Sequence, residues 1–332
     1  LTTETRCQSK LVDGVLSTLM NFMFPIKMLL KLYSLTILMI DTAWVIVNAV
    51  YAIFQSMYHL VRPPPLKSLR FETALIVGAG RGVGRELALQ LSDLGTIVLC
   101  VDINKLNNES LVQEIKQKGG SAISYIYDIT KKENIQYLST QIKKDIGVIS
   151  MIFYCCGIPS PRSLLAAPSQ DMHTTIDVTL TSFYWLIDKF LPEMKAKNHG
   201  HIIALTSVAG LSHIKDQLPL SVAQFAVQGL SESLMEDLRI CKKDGVHVTL
   251  VHIYPFIVCT DTCPDLRLRI PSYFGTISPE LAAISILDSV RRNYIEASVP
   301  KHLLYLGHLL RILPRKATIL IRELLDTGVD FA

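Results

Sequence analysis

From residue 66 onward, short apolar runs alternate with longer stretches in which apolar residues recur at helical spacing. The runs of strand length are 73–77, 96–101, 121–127, 148–155, 201–206, 246–253 and 297–299. The helical stretches between them include 84–94, 106–118, 135–144, 172–195 and 224–241. Continuous apolar strands separated by amphipathic helices are typical of a parallel sheet that is covered on both faces. Residues 66–299 are therefore predicted to form a single α/β domain with a doubly wound parallel sheet.

A different pattern occupies residues 1–65, whose main apolar segment, 35–61, predicts a membrane anchor. Between residues 35 and 54 only Asp41, Asn48 and a few hydroxyl side chains interrupt a run long enough to cross a hydrocarbon core. Three prolines follow as a stiff break. Because a lone carboxylate is costly in lipid, Asp41 leaves interfacial insertion, a hairpin or a buried core helix open as alternatives.

The flanks of this segment do not predict its orientation, because lysine and arginine occur on both sides of it. Arg62, Lys67 and Arg70 form a basic collar after it. The preceding stretch, 11–32, contains charged residues and a proline, and we expect it to lie at an interface rather than to span. No small-residue cleavage site is recognisable, so a cleaved secretory signal is not expected.

The last segment, 300–332, is rich in leucine and isoleucine with arginine and lysine among them. An amphipathic basic segment of this kind suits a membrane surface or a lid over a lipophilic pocket. A terminal helix packed on the core is the equal alternative.

Composition narrows the classes of partner. The net charge of +4 is too small and too evenly spread to indicate nucleic acid, and no nucleic-acid motif is present, although an anionic membrane surface remains compatible. The seven cysteines have neither metal-ligand spacing nor a small disulfide-rich context. We therefore expect no metal site and reduced thiols that face the cytosol.

A glycine-rich turn joins the first predicted strand to the first predicted helix. Its glycines, Gly78, Gly82 and Gly84, follow the spacing G-x-x-x-G-x-G, with Arg81 and Val83 between them. Glycines in this context let backbone amides approach a pyrophosphate, whose charge is favoured at a helix N-terminus. The turn predicts a nucleotide site, although by itself such a motif also fits a merely tight turn.

Two residues give opposite indications about the nucleotide. Asp102 ends the second strand, where a carboxylate accepts hydrogen bonds from an adenosine ribose, and this favours NAD. The guanidinium of Arg81 is suited to the 2′-phosphate of NADP. We expect NAD or NADP, with NAD slightly favoured, while a helix-capping role for Asp102 and a solvated turn role for Arg81 remain open.

Several short motifs resemble those of the short-chain dehydrogenase/reductase superfamily and follow one another in the order that this superfamily has. Besides the glycine turn they are Asp102-Ile-Asn-Lys105, Leu191-Pro-Glu-Met194, Asn198-His-Gly-His-Ile202 and Tyr254-Pro-Phe-Ile257. They resemble in particular the membrane-bound branch that contains retinol dehydrogenases, epidermal retinol dehydrogenase and lipid-droplet 17-beta-hydroxysteroid dehydrogenases. The resemblance implies a Rossmann-like domain on an endoplasmic reticulum membrane or lipid droplet, facing the cytosol. It also implies a homodimer through helices at 179–195 and 224–241, a lipophilic ligand, and cofactor contacts at Asp128, Gly157, Pro255 and Thr260.

The same resemblance draws attention to the catalytic positions. In active members a tyrosine transfers the substrate proton, a lysine one helical turn later lowers the pKa of the phenol, and a serine and an asparagine support them. Ser207 matches the serine, but Leu220 stands at the tyrosine position and Gln224 at the lysine position. Thr179 occupies the asparagine position. Ser207 is then expected to be retained without a catalytic role.

The resulting hypothesis is a catalytically impaired, membrane-anchored protein that retains weakened nucleotide binding and acts by binding nucleotide, lipid or a protein partner. The first alternative is an active oxidoreductase on a retinoid, steroid or other lipophilic alcohol or ketone. Its acid–base group would then be sought near His213 and Lys215. The second alternative is a structural membrane protein without a ligand.

Overall fold

The computed structural model describes the backbone of residues 4–157, 169–207, 218–253 and 277–325. The predicted positions Pro255, Thr260, His213 and Lys215 lie outside these ranges. The chain separates into two units, residues 1–64 and residues 65–332.

The first unit is one long helix. This helix, α1 (Glu4–Val61), includes the stretch 11–32, which the sequence set apart as interfacial. Within it Met28–His59 is long and apolar enough to cross a membrane, and its apolar side chains are exposed. A helix satisfies its own backbone hydrogen bonds, so an apolar surface on all sides suits lipid.

The second unit has the predicted alternation of strands and helices. Its first half contains β1 (Thr73–Val77), α2 (Gly82–Asp93), β2 (Ile97–Asp102), α3 (Lys105–Gln117), β3 (Ala122–Ile126), α4 (Lys132–Asp145) and β4 (Met151–Tyr154). Its second half contains α5 (Ser169–Ile176), a π-helical turn (Asp177–Thr181), α6 (Ser182–Lys197), β5 (Gly200–Ser207), α7 (Leu218–Ile240), β6 (Val246–Ile253), α8 (Pro279–Arg291), β7 (Glu296–Val299), α9 (Leu303–Ile312) and α10 (Arg315–Leu325).

The seven strands form one parallel sheet in the order β3-β2-β1-β4-β5-β6-β7. Apolar side chains of successive residues alternate between two core clusters, as a pleated strand requires. One cluster lies under α2, α3 and α8, and the other lies under α4, α6 and α7. This doubly wound, Rossmann-like arrangement confirms the predicted fold class.

Local signals explain several boundaries. Asn104 caps α3 by accepting a hydrogen bond from the Asn107 N–H, and Ser278 caps α8 in the same way through the Leu281 N–H. Strand β4 is shorter than the predicted run 148–155. The Ser150 hydroxyl bonds both the N–H and the carbonyl of Thr73, and it does so just before the strand begins.

The parallel arrangement brings the carboxyl ends of the strands to one edge of the sheet. The glycine turn follows β1, while Asp102 and Ser207 are the last residues of β2 and β5. Strand β5 pairs with β6 over its whole length, from Gly200 opposite Val246 to Ser207 opposite Ile253. Ligands of open parallel sheets bind at this edge, where the strand order reverses.

Candidate nucleotide site

The glycine turn packs β1, α2 and β4 so closely that side chains are excluded. A Cβ atom on Gly84 would lie 2.0 Å from the Gly78 carbonyl oxygen. Gly78 and Gly82 have φ values of +86° and +56°, which residues with side chains rarely adopt. The glycines therefore let the turn lead directly from β1 into the N-terminus of α2, and a helix N-terminus favours a pyrophosphate.

Asp102 holds the turn in place. Its Oδ2 accepts a hydrogen bond from the Gly80 N–H at 2.8 Å, and its Oδ1 accepts one from the Asn104 N–H at 2.8 Å. A Cβ atom on Gly80 would lie 2.8 Å from the Asp102 Cγ. Sequence reasoning missed Gly80, although its position one residue before Arg81 was a signal. Because each carboxylate oxygen accepts more than one hydrogen bond, Asp102 can still receive a ribose hydroxyl.

Two residues between the glycines differ in their exposure to solvent. Arg81 is exposed and immediately precedes the first turn of α2. Val83 is partly buried and packs against the core cluster under α2.

Strand β4 ends in a run of buried or partly buried side chains beside the glycine turn. A Cβ atom on Gly78 would lie 2.9 Å from Cys156 Sγ. Burial and the nearby Asp102 carboxylate raise the pKa of Cys156 to about 12. Burial, with Cys156 as a neighbour, raises the pKa of Cys155 well above its usual value. Both thiols are free and protonated at neutral pH, which makes them poor nucleophiles.

Asp128 lies in the loop after β3, beside the end of β2. The Thr130 hydroxyl and N–H donate to its Oδ1 at 2.6 and 3.0 Å, and the Lys131 ammonium lies 3.8 Å from its Oδ2. Burial acts to raise its pKa, but these contacts outweigh burial and lower it. Asp128 is therefore ionised at neutral pH.

Leu220 and Gln224 lie one turn apart on the same buried face of α7. The Gln224 Oε1 accepts a hydrogen bond from the Ser207 N–H at 3.2 Å. A Cβ atom on Gly157 would lie 3.5 Å from the Gln224 Nε2. The structure thus brings Ser207, Gln224 and Gly157 together at the carboxyl edge. Neither a leucine nor a glutamine side chain can transfer a proton.

Thr179 lies in the π-helical turn, which packs against α7. Its hydroxyl is buried and has no hydrogen-bond partner among the residues that the structure describes. The Tyr154 hydroxyl bonds the Val178 carbonyl in this turn and lies 2.6 Å from the Ser182 hydroxyl. Burial raises the pKa of Tyr154 well above its usual value, so this phenol is not a base. Sequence reasoning missed the contact because no local pattern links residues 154 and 178.

A chain of four polar side chains crosses β5, β6 and β7. The Thr206 hydroxyl lies 2.9 Å from the His252 Nδ1, and the His252 Nε2 lies 2.7 Å from a Glu296 carboxylate oxygen. His308 on α9 contacts the other Glu296 oxygen at 2.9 Å. Hydroxyl, imidazole and carboxylate groups in this order can orient a proton, but Thr206 and His252 are both buried. The sequence carried no signal for this chain, since each member comes from a different element.

The described ranges contain no cluster of three or more histidine, cysteine, aspartate or glutamate side chains that could hold a metal ion.

Comparison with known proteins places these features in context. The model of the family described as short chain dehydrogenase matches residues 72–269. Epidermal retinol dehydrogenase 2 of Homo sapiens is 30% identical over 279 residues, which cover 84% of this chain and 90% of that protein. 17-beta-hydroxysteroid dehydrogenase 13 of Homo sapiens is 25% identical over 287 residues, which cover 86% and 94%.

A solved structure has the same fold. The short chain dehydrogenase/reductase from Burkholderia phymatum, in complex with NAD, superposes with a TM-score of 0.66 at 20% identity. The match covers 74% of this chain and 94% of that one.

Proposed function

The chain belongs to the short-chain dehydrogenase family, and we propose that it is a membrane-anchored, catalytically impaired member that binds a nicotinamide nucleotide and a lipophilic molecule. The lipophilic class is suggested by the names of its relatives, which are retinol and hydroxysteroid dehydrogenases. The exposed apolar helix Met28–His59 supports a membrane anchor. Its location on an endoplasmic reticulum membrane or lipid droplet, with the folded unit in the cytosol, is proposed by analogy with the family.

The observation that carries the impairment is the pair Leu220 and Gln224. A phenol needs a nearby cation to act as a base at neutral pH, and this pair supplies neither group. The Gln224 amide is instead bonded to the Ser207 backbone, which is a structural role. Ser207 thus lies beside a Gln224 side chain, which cannot exchange its proton.

The proposed nucleotide site keeps its other parts. The glycine turn leads into the N-terminus of α2, and Asp102 and Asp128 lie at the carboxyl edge. Loss of the family lysine removes a charge-assisted contact worth about 1 to 3 kcal/mol, so we expect weakened rather than abolished binding. Asp102 favours NAD slightly, and Arg81 favours NADP.

Calorimetry on the purified full chain tests nucleotide binding. We expect a measurable affinity for NAD(H) or NADP(H), and we expect Arg81→Ala to weaken NADP(H) much more than NAD(H), because only NADP carries the 2′-phosphate. No heat at millimolar concentrations of either nucleotide would reject the binding proposal.

Catalytic impairment is tested by restoring the missing pair. The variant Leu220→Tyr, Gln224→Lys is expected to oxidise or reduce members of a retinoid and steroid panel with NAD(P)(H), while the wild type stays silent. The matched control, Leu218→Tyr with Val222→Lys, places the same two residues at the same spacing on the exposed face of α7 and should remain silent. Turnover by the wild type would disprove the impairment.

An active oxidoreductase on a retinoid, steroid or related lipophilic substrate is the second candidate. It is favoured by the extent of the match to epidermal retinol dehydrogenase 2 and by the retained Ser207. If the wild type turns over, its acid–base group is to be sought near His213 and Lys215, and His213→Gln should then abolish activity.

A homodimer through α6 and α7 remains a proposal by analogy with the family.

A further inference from the structure

A second concave site lies at the opposite edge of the sheet from the glycine turn, where β1, β4, β5 and β6 begin. It is an open cavity of about 100 Å³. Five titratable side chains line it: Lys67, Glu72, His199, His201 and His247. Nothing in the proposed nucleotide function uses these residues.

The Lys67 ammonium is held in this cavity by a directed chain of hydrogen bonds. It donates to the His201 Nδ1 at 2.8 Å, and the His201 Nε2 lies 2.8 Å from the Thr249 hydroxyl. That hydroxyl donates to the Tyr294 carbonyl at 2.6 Å. Because an ammonium can only donate, His201 must accept at Nδ1 and donate at Nε2. The chain therefore fixes His201 as a neutral imidazole and leaves two Lys67 protons for another acceptor.

The backbone of Lys67 is fixed as well. Its N–H donates to the Arg291 carbonyl at 2.8 Å, and the Arg291 Nε donates to the Lys67 carbonyl at 3.1 Å. These contacts tie the start of the folded unit to the end of α8, so the position of the ammonium does not depend on a loose chain end.

The cation in this cavity lacks a close counter-ion. Among the residues that the structure describes, no carboxylate oxygen lies within 4.0 Å of the Lys67 nitrogen. The Glu72 carboxylate instead contacts the His199 Nε2 at 3.1 and 3.2 Å. Burial lowers the pKa of Lys67 to about 8, although Glu72 opposes this shift. Burial and the charge of Lys67 also lower the pKa of His247.

We propose that this cavity binds a phosphate group through Lys67, with His247 as a further donor. A tetrahedral anion supplies acceptors for the two remaining Lys67 protons and favours protonation of His247. Lys67 repels a metal cation, and the Glu72 carboxylate in the lining is already bonded to His199, so the remaining donors suit phosphate better than a metal ion.

Two sources of phosphate share this chemistry. Lys67 lies six residues after Val61, the last residue of the apolar helix, so the headgroup of an anionic membrane lipid is one source. Free phosphate or a soluble phosphate monoester is the other.

The test uses the full chain in nanodiscs of phosphatidylcholine, with histidine imidazole resonances followed by NMR as inorganic phosphate is added. We expect saturable shifts of His201 and His247. Lys67→Gln and His247→Gln should each weaken the apparent affinity by about tenfold or more, the effect of losing a charge-assisted hydrogen bond. Lys67→Arg should retain binding, and Lys132→Gln, an exposed control on α4, should not change it.

A second arm distinguishes the sources. Nanodiscs that contain phosphatidic acid should shift the same resonances without added phosphate if a lipid headgroup is the occupant. If they do not, while inorganic phosphate does, the occupant is soluble. Absence of shifts in both arms would overturn the proposal. The His247→Gln variant covers the case in which Lys67→Gln does not fold. If folded His247→Gln shows the same His201 shifts as the wild type, the proposal is also overturned.

Discussion

At the scale of single residues, the glycines of this chain separate into positions that require glycine and positions that tolerate a side chain. The Cβ atom of an alanine at position 84 would lie 2.0 Å from a backbone oxygen, whereas no atom lies within 4 Å of the corresponding position at Gly229. Only the first of these glycines belongs to a site that brings two backbones together.

Gly84→Ala is therefore expected to lower the free energy of unfolding by about 2 kcal/mol or more and to abolish nucleotide binding, because α2 must move away from β1. Gly229→Ala, in the exposed surface of α7, should instead stabilise the protein by about 0.5 to 1 kcal/mol. Chemical denaturation of the two variants makes the comparison. Equal stability of Gly84→Ala and wild type would contradict the close packing of the turn.

Glu296 gives a prediction about pH. Burial acts to raise its pKa, but hydrogen bonds and charge from His252 and His308 outweigh burial and lower it. A carboxylate whose pKa is lowered by folding stabilises the protein above its unfolded pKa, near 4.3, and this stabilisation is lost as the pH falls through the folded pKa. The stability of the wild type should therefore fall on acidification below about pH 5.

In Glu296→Gln this acid-dependent loss should be smaller, and stability at pH 7 should already be lower by about 1 to 3 kcal/mol. Denaturant unfolding measured from about pH 3 to about pH 7 tests both effects, because this range covers the titration of a carboxylate. Glu133→Gln, at an exposed position on α4, is the control and should follow the wild-type curve. Parallel curves for wild type and Glu296→Gln would show that the carboxylate is not coupled to the histidines.

At the scale of elements, the long helical segment that precedes β5 differs from its prediction. The sequence predicted one helix over 172–195, and the structure interrupts it with a π-helical turn at Asp177–Thr181. Tyr154 reaches into this turn from β4 and bonds the Val178 carbonyl. A π-helical turn inside a helix is uncommon and frequently occurs at functional sites. Here it carries Thr179, whose buried hydroxyl has no partner in the described part of the chain.

Tyr154→Phe tests whether the phenol maintains this turn. Loss of its hydroxyl leaves the Ser182 hydroxyl with one contact fewer, and we expect destabilisation by about 1 to 2 kcal/mol. Amide hydrogen exchange should become faster at residues 177–182 and stay unchanged in the rest of α6. Tyr137→Phe, on the exposed surface of α4, serves as the control. If hydrogen exchange in the turn is unchanged, the Tyr154 hydroxyl does not maintain the π-helical conformation.

The two C-terminal helices combine features of both interpretations of segment 300–332. Leu303 and Gly307 of α9 are buried, and Arg311 lies 5.9 Å from the ring of Phe225 on α7. Ile312 and Leu320 are exposed. One face of this segment packs on the folded unit, and apolar side chains on the other face remain available to a membrane surface or a ligand.

At the scale of the whole molecule, one helix should determine membrane association. After a carbonate wash the full chain should remain in the membrane pellet, and replacement of Ile40 and Val47 by lysine should release a large part of it. Each lysine near the centre of a spanning helix costs about 3 kcal/mol on insertion scales. Arg62→Gln, outside the apolar segment, is the control. Retention of the double lysine variant would indicate that another segment, such as α10, holds the protein on the membrane.

Much of the fold could be predicted because its signals are local. Each of the seven strands lies within or beside a predicted apolar run, and β6 matches its run, 246–253, at both ends. The ends of elements were less predictable. Helix α7 begins at Leu218, six residues before the predicted start, so that the Leu220 position lies inside the helix. Pro219, Leu220 and Ser221 are buried in the first turn of the helix.

By itself the sequence determined the α/β class, the apolar N-terminal segment, the glycine turn and the identities of Leu220 and Gln224, because each depends on residue type and spacing along a short stretch. Only the tertiary structure decided that Gln224 bonds the Ser207 backbone, that Gly80 is held by Asp102, and that Lys67 shares a cavity with three histidines. These contacts join residues 17 to 180 positions apart, as from Lys67 to His247. Such pairs meet only when a parallel sheet aligns the ends of strands that are distant along the chain, and no local pattern encodes that alignment.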